Sequence, residues 1–161
     1  MYQSSDKESQ QVTIYHQDSV CNFPVSHVRF EVIDNVLNLE IETGENRACV
    51  LGFLPSPTLY IEDAPVLAKS AGEIFDEQLT LPLGWEDEAV NEKTKEIFRI
   101  YIGQHEPLDN NSLKIRCVNE SLLEILWFAD AVDFNYYDER ATRNRLEVRC
   151  LFEEKQSGHD I

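Results

Sequence analysis

Between residues 12 and 153 the dominant hydrophobic period along this chain is two, the spacing of strands with one buried face. Val28, Phe30 and Val32 alternate with Arg29 and Glu31, and Leu37, Leu39 and Ile41 alternate with Asn38, Glu40 and Glu42. Asp34-Asn35 separates the two runs, and both residues tolerate left-handed backbone angles, so the pattern predicts a β-hairpin over 27–43. Thr43 to Asn46 predicts a second turn. Ala48 to Leu54 then reads as an apolar strand stopped by Pro55 and Pro57, and Leu59 to Glu62 as a restarted extended segment. Phe98, Ile100 and Ile102 predict a strand closed by Gly103. Leu113, Ile115 and Cys117 predict another, and Leu146, Val148, Cys150 and Phe152 a last one.

Residues 121–132 fit two periods. Leu122, Ile125, Leu126 and Ala129 make a helical stripe, whereas strand geometry puts Leu123, Ile125 and Trp127 on one face and Leu126 and Phe128 on the other. The turn-like Cys117 to Ser121 before this run, and the alternation of Val132, Phe134 and Tyr136 after it, favour a strand. Helices are expected in two places. Pro65 opens Val66 to Gln78, with Leu67, Ala71, Ile74 and Phe75 on one face and Gly72 inside. Glu86 to Glu96 has acids early and Lys93 and Lys95 late, the order a helix dipole prefers. Together these elements predict a mainly β protein: an antiparallel β-sandwich or curled, barrel-like sheet of about seven to nine strands, with one or two short helices. The expected organisation is a flexible N-terminal tail (1–11), a single β-rich domain (12–153) and a flexible C-terminal tail (154–161).

The length of 161 residues suits one domain with its own core, and 42% hydrophobic residues exclude a disordered chain. Charge changes the picture more. Fourteen basic against thirty acidic residues give −16, which disfavours duplex DNA and anionic membranes as partners. No stretch reaches the roughly 18 apolar residues of a membrane helix, and Met1 to Gln11 lacks the features of a signal peptide. A cytoplasmic location is therefore expected. Cys21, Cys49, Cys117 and Cys150 form no CxxC pair, and are expected to be reduced core residues.

Catalytic wiring is scarce. The six glycines form no phosphate loop, and GxSxG, HExxH and EF-hand patterns are absent. His16, His27, His105 and His159 are isolated, so no metal site or cofactor is expected, although folding can bring His16 and His27 near Cys21 or Asp18. Three segments concentrate charge. Glu120 to Glu139 has six acids and no base, with Trp127, Tyr136 and Tyr137 beside Asp130 and Asp133. Arginines follow at 140, 143, 145 and 149; Arg140, Arg143 and Arg145 are candidate anion ligands, or cross-strand partners of the preceding acids. Residues 59–96 hold ten acids against three lysines, with Trp85 beside Glu86, Asp87 and Glu88.

Acids around large aromatics suit recognition of a basic protein, steered by charge and held by the rings. The expected function is a non-catalytic protein-binding module, a stoichiometric inhibitor or an immunity or anti-defence type of protein. Its contact residues would be Trp85, Glu86, Asp87, Glu88, Trp127, Asp130, Asp133, Tyr136 and Tyr137. Two other readings stand beside it. One is an enzyme or small-ligand protein with a carboxylate–arginine site around 130–149; the other is a structural or oligomeric component, for which edge strands offer a homodimer contact.

Overall fold

The computed structural model describes residues 10–16, 19–46, 56–73, 77–80, 97–101, 105–119, 122–131 and 144–153. Nine strands run β1 (Gln11–His16), β2 (Ser19–Ile33), β3 (Val36–Thr43), β4 (Thr58–Pro65), β5 (Glu77–Thr80), β6 (Phe98–Tyr101), β7 (His105–Cys117), β8 (Leu122–Ala131) and β9 (Asn144–Glu153). All pairings are antiparallel. Each strand except β5 pairs with its neighbour in this order, and β9 returns to pair with β1, so eight strands close on themselves. Short β5 lies against β7 alone. The mainly β, barrel-like sheet read from the alternation is the architecture formed.

Two long strands serve both halves of the ring. Strand β2 pairs with β1 up to Pro24 and with β3 from Val25 onward, across a bulge between Val25 and His27. Strand β7 pairs with β6 over His105 to Pro107 and with β8 from Leu108, across a bulge between Asp109 and Ser112. Bulges bend a strand and raise its twist, which lets one strand turn from one partner to another. In β7 the bulge uses Asn110 in the left-handed region (φ 48°) and directs Asn111 inward. Trp127 of β8 is fully buried, and its Nε1–H donates to Asn111 Oδ1 at 3.0 Å, while Asn111 Nδ2 donates to the Leu108 carbonyl at 2.8 Å. The ring of Phe98 on β6 lies 5.9 Å from the Trp127 ring, tilted by 59°. Inward positions of the other strands, among them Ile14, Phe23, Ile41, Leu59 and Val148, complete the core. Burying each such aliphatic or aromatic side chain stabilises the fold by about 1.5–3 kcal/mol.

The 27–43 hairpin forms as the alternation predicts, with Asp34 (φ 48°) and Asn35 (φ 67°) as a two-residue turn. Residues 122–131 are a strand whose inner and outer positions alternate along its whole length. The helix expected over 66–78 does not form. Among the described residues after β4 the chain bends and makes a 3-10 turn, Ala71–Glu73, and Glu77–Thr80 form β5. The turn residue Asn35 accounts for this. Its Nδ2 donates to the carbonyls of Leu67 (2.7 Å) and Ala68 (3.3 Å), and its own carbonyl accepts from the Val66 N–H (2.9 Å). Carbonyls needed by a helix ladder are therefore spent on the hairpin tip. The second expected helix, 86–96, and the expected strand 48–54 lie outside the described residues.

The cysteines also depart from expectation. Cys117 and Cys150 are free, but Cys21 is disulfide-bonded rather than reduced. Disulfides belong to oxidising compartments, so cysteine usage gives a cytoplasmic location no support. Among the described residues no helix is long and apolar enough to cross a membrane. Cys150 is a core residue as expected, and burial pushes its thiol up to about 12.

Three measurements check this description. Asn111→Ala leaves the Trp127 N–H buried without an acceptor, and a loss of about 1–3 kcal/mol is expected in denaturant unfolding. Thiol titration of the unfolded, unreduced chain is expected to give two thiols; four would remove the disulfide. In the folded protein Cys150 keeps its proton between the ordinary value of 9.0 and about 12, where the unfolded chain releases it. Stability therefore falls as pH rises through that window, and Cys150→Ala removes this part of the pH dependence.

Candidate functional site

The outer face of β2, β3, β4 and β6, with the start of β7, carries two rows of polar side chains fixed by the strand register. One row is Arg29, Glu40, Tyr60 and Arg99; the next is His27, Glu42, Thr58, Tyr101 and His105. These positions point outward because Leu39, Ile41, Leu59, Ile61 and Ile100 take the inward ones. In the first row Arg29 Nη1 lies 3.5 Å from Glu40 Oε2, and Arg99 pairs with Glu62 of β4. Arg99 Nε is shielded from solvent and has no hydrogen-bond partner among the described residues.

Three rings gather where the rows meet, Tyr60 from the first and Tyr101 and His105 from the second. His105 lies 5.0 Å from Tyr101 and 5.6 Å from Tyr60, both tilted, and Tyr101 is 40% exposed. Glu42 sits in the same row and makes no ion pair among the described residues. The Tyr60 hydroxyl is held above its ordinary value, first by partial burial and then by the carboxylates of Glu40, Glu42 and Glu62. Those carboxylates thus act on the ring cluster electrostatically. A bulge in β4 frames the site: Asp63 adopts φ 55°, and its N–H donates to Asn38 Oδ1 at 3.0 Å. Aromatic faces beside a free carboxylate make a seat for a cationic side chain.

The residues expected from sequence fall elsewhere. Trp127 is not a surface residue: it is 0% exposed, its ring lies tilted against Phe98 and its N–H is bonded to Asn111, so it cannot anchor a partner. Asp130 is half-buried on the outer face of β8, accepts a 2.8 Å hydrogen bond from Asn110 Nδ2, and stands opposite Arg145 of β9. Arg145 is exposed and also stands opposite Tyr15 of β1. Arg116 and Glu124 form a 2.7 Å ion pair from opposite positions of β7 and β8. Trp85, Glu86, Asp87, Glu88, Asp133, Tyr136, Tyr137, Arg140 and Arg143 lie outside the described residues. Among the described residues no group of three or more His, Cys, Asp or Glu side chains is placed to hold a metal.

Sequence reasoning missed Tyr60, Tyr101 and His105 as one cluster. The outward alternation of Glu40 and Glu42 was the available signal, but the rings come from three other strands. Removing Glu42 tests the electrostatic account. In Glu42→Gln the Tyr60 ionisation midpoint, followed by NMR of ring-labelled tyrosine, is expected to move down toward 10.0. An unmoved midpoint would remove Glu42 from the causes and leave burial with Glu40 and Glu62.

The chain matches no protein-family model, no curated protein and no solved structure.

Proposed function

We propose that the chain is a small, acidic, non-catalytic protein-binding module for a basic protein, working as a stoichiometric inhibitor of the immunity or anti-defence type. The observation that carries this reading is the Tyr60–His105–Tyr101 cluster beside Glu42, on the face that also bears Glu40 and Glu62. A lysine or arginine of the partner docks on the rings and meets the Glu42 carboxylate, gaining both cation–π and charge-assisted contacts. The −16 charge of the whole chain steers such a partner inward and raises its association rate.

The test is capture by the tagged chain from lysate of its source, compared with the Glu42→Lys and Tyr101→Ala variants at unchanged thermal midpoints. A basic protein retained at one-to-one stoichiometry is expected, released between about 50 and 500 mM salt as screening shortens. Each variant is expected to weaken it on the order of tenfold, the scale of one desolvated cation–π contact. Retention of the same protein by all three chains would overturn the assignment of this face.

A further inference from the structure

Among the described residues the ring leaves a stretch of the β2 edge open. Pairing of β1 with β2 stops at Gln11 opposite Pro24, followed by a single bond from the Val25 N–H to the Gln10 carbonyl (3.1 Å). The next described chain on that side of β2 is at Ser70, opposite Ile33, where the Asp34 N–H donates to the Lys69 carbonyl (3.1 Å). Between these points β2 pairs with β3 alone among the described residues. The two-residue turn makes Ile33 and Val36 a hydrogen-bonded pair, so Glu31, Arg29 and His27 spend their backbone groups on β3. Val28 and Phe30 present theirs to the open side.

A cleft of about 600 Å³ runs along this edge, bounded by residues 27–33 of β2, residues 70–72, and the end of β9 at Phe152 and Glu153. Its floor is apolar: the rings of Phe30 and Phe152 lie 5.1 Å apart, beside half-buried Val28. Its charge is acidic. Arg29 is held by Glu40, whereas Glu31 and Glu153 are exposed and make no ion pair among the described residues.

We propose that this edge is a strand-addition site whose occupant is an extended segment of the basic partner, with apolar residues alternating with lysine or arginine. The inference rests on the protein-binding reading above and names how the partner is gripped. Backbone bonds to Val28 and Phe30 extend the sheet, alternate apolar side chains cover Phe30 and Phe152, and the cationic ones reach Glu31 and Glu153. The open stretch, residues 26–31, spans about 20 Å at roughly 3.3 Å per residue, which suits a segment of about six residues. A second copy fits worse. Antiparallel pairing of two β2 strands centred on Phe30 would bring Val28 of the copy to Val32, beside the position already taken by Ser70. The edge adjoins the acidic, aromatic face through Arg29 and Glu40, so one partner covers both.

The probe is a capped seven-residue peptide alternating valine and lysine, added to the full chain. Amide exchange of Val28 and Phe30 is expected to be fast in the free protein and slowed at least tenfold by the peptide. Val28→Pro removes an N–H that β3 does not use, and is expected to weaken binding at least tenfold. The same peptide N-methylated at alternate residues, so that its edge-facing N–H groups are lost, is expected not to bind the unaltered chain. Equal binding of the methylated peptide, or peptide binding without slowed exchange at Val28 and Phe30, overturns the proposal. Slow exchange in the free chain also overturns it: dependence on protein concentration assigns the edge to a second copy, and independence to a segment of the chain itself. A basic partner captured as above but unaffected by Val28→Pro sinks strand addition and leaves the protein-binding reading standing.

Discussion

A tryptophan in the middle of a β core brings a polar N–H that must find an acceptor, and the rest of this fold is arranged around meeting that need at Trp127. The acceptor is Asn111, turned inward by a bulge in β7 with Asn110 at positive φ. The same bulge sends the strand from its partnership with β6 to that with β8. Satisfying one buried donor and turning one corner of the ring are thus the same local event. Phe98 of β6 packs on Trp127 of β8 because the strand between them makes that turn. A straight β7 would leave the indole unpaired and the two aromatics on separate surfaces.

The parts legible in the sequence are those that depend on neighbours a few residues away. Alternation placed the 27–43 hairpin, and it placed 122–131 as a strand, because side-chain period two is a local property. The segment after Pro65 read as a helix from its own spacing, yet Asn35, more than thirty residues earlier, takes the carbonyls such a helix needs. That competition is invisible to any local window. The first half of β2 was likewise hidden, since its bulge interrupts the period just where it changes partners. Trp127 resembled a surface anchor because Leu126 and Phe128 beside it are also apolar, so composition alone does not say which face is the core. The ring cluster of Tyr60, Tyr101 and His105 needed the topology, since three strands contribute one ring each.

Charge is unevenly spread over the described surface. On the outer face of β7, β8 and β9, Lys114, Arg116, Arg145 and Arg149 are interleaved with Glu124, Asp130 and Glu147. There the Tyr15 hydroxyl donates to Glu147, and that contact raises its pKa while Arg145 opposes the rise. The opposite face, on β3 and β4, sets Glu40, Glu42 and Glu62 against Arg29 and Arg99 only. Among the described residues the face on β3 and β4 is therefore the more acidic of the two, and an uneven field of that kind orients a charged molecule during an encounter as well as attracting it.

The pairing of β1 with β9 has a consequence for the order in which the molecule assembles. Every other neighbour pair in the ring joins strands consecutive along the chain, apart from the short step over β5, whereas Tyr15 and Glu147 are 132 residues apart. The entropy of closing a loop rises with its length, so hairpins such as β2–β3 and β7–β8 are favoured to form first and the seam last. Most of the sheet can thus exist before the circle is sealed. Until then β1 and β9 expose their edges, which makes the nascent chain most prone to mispairing at the very strands that finally join its two ends.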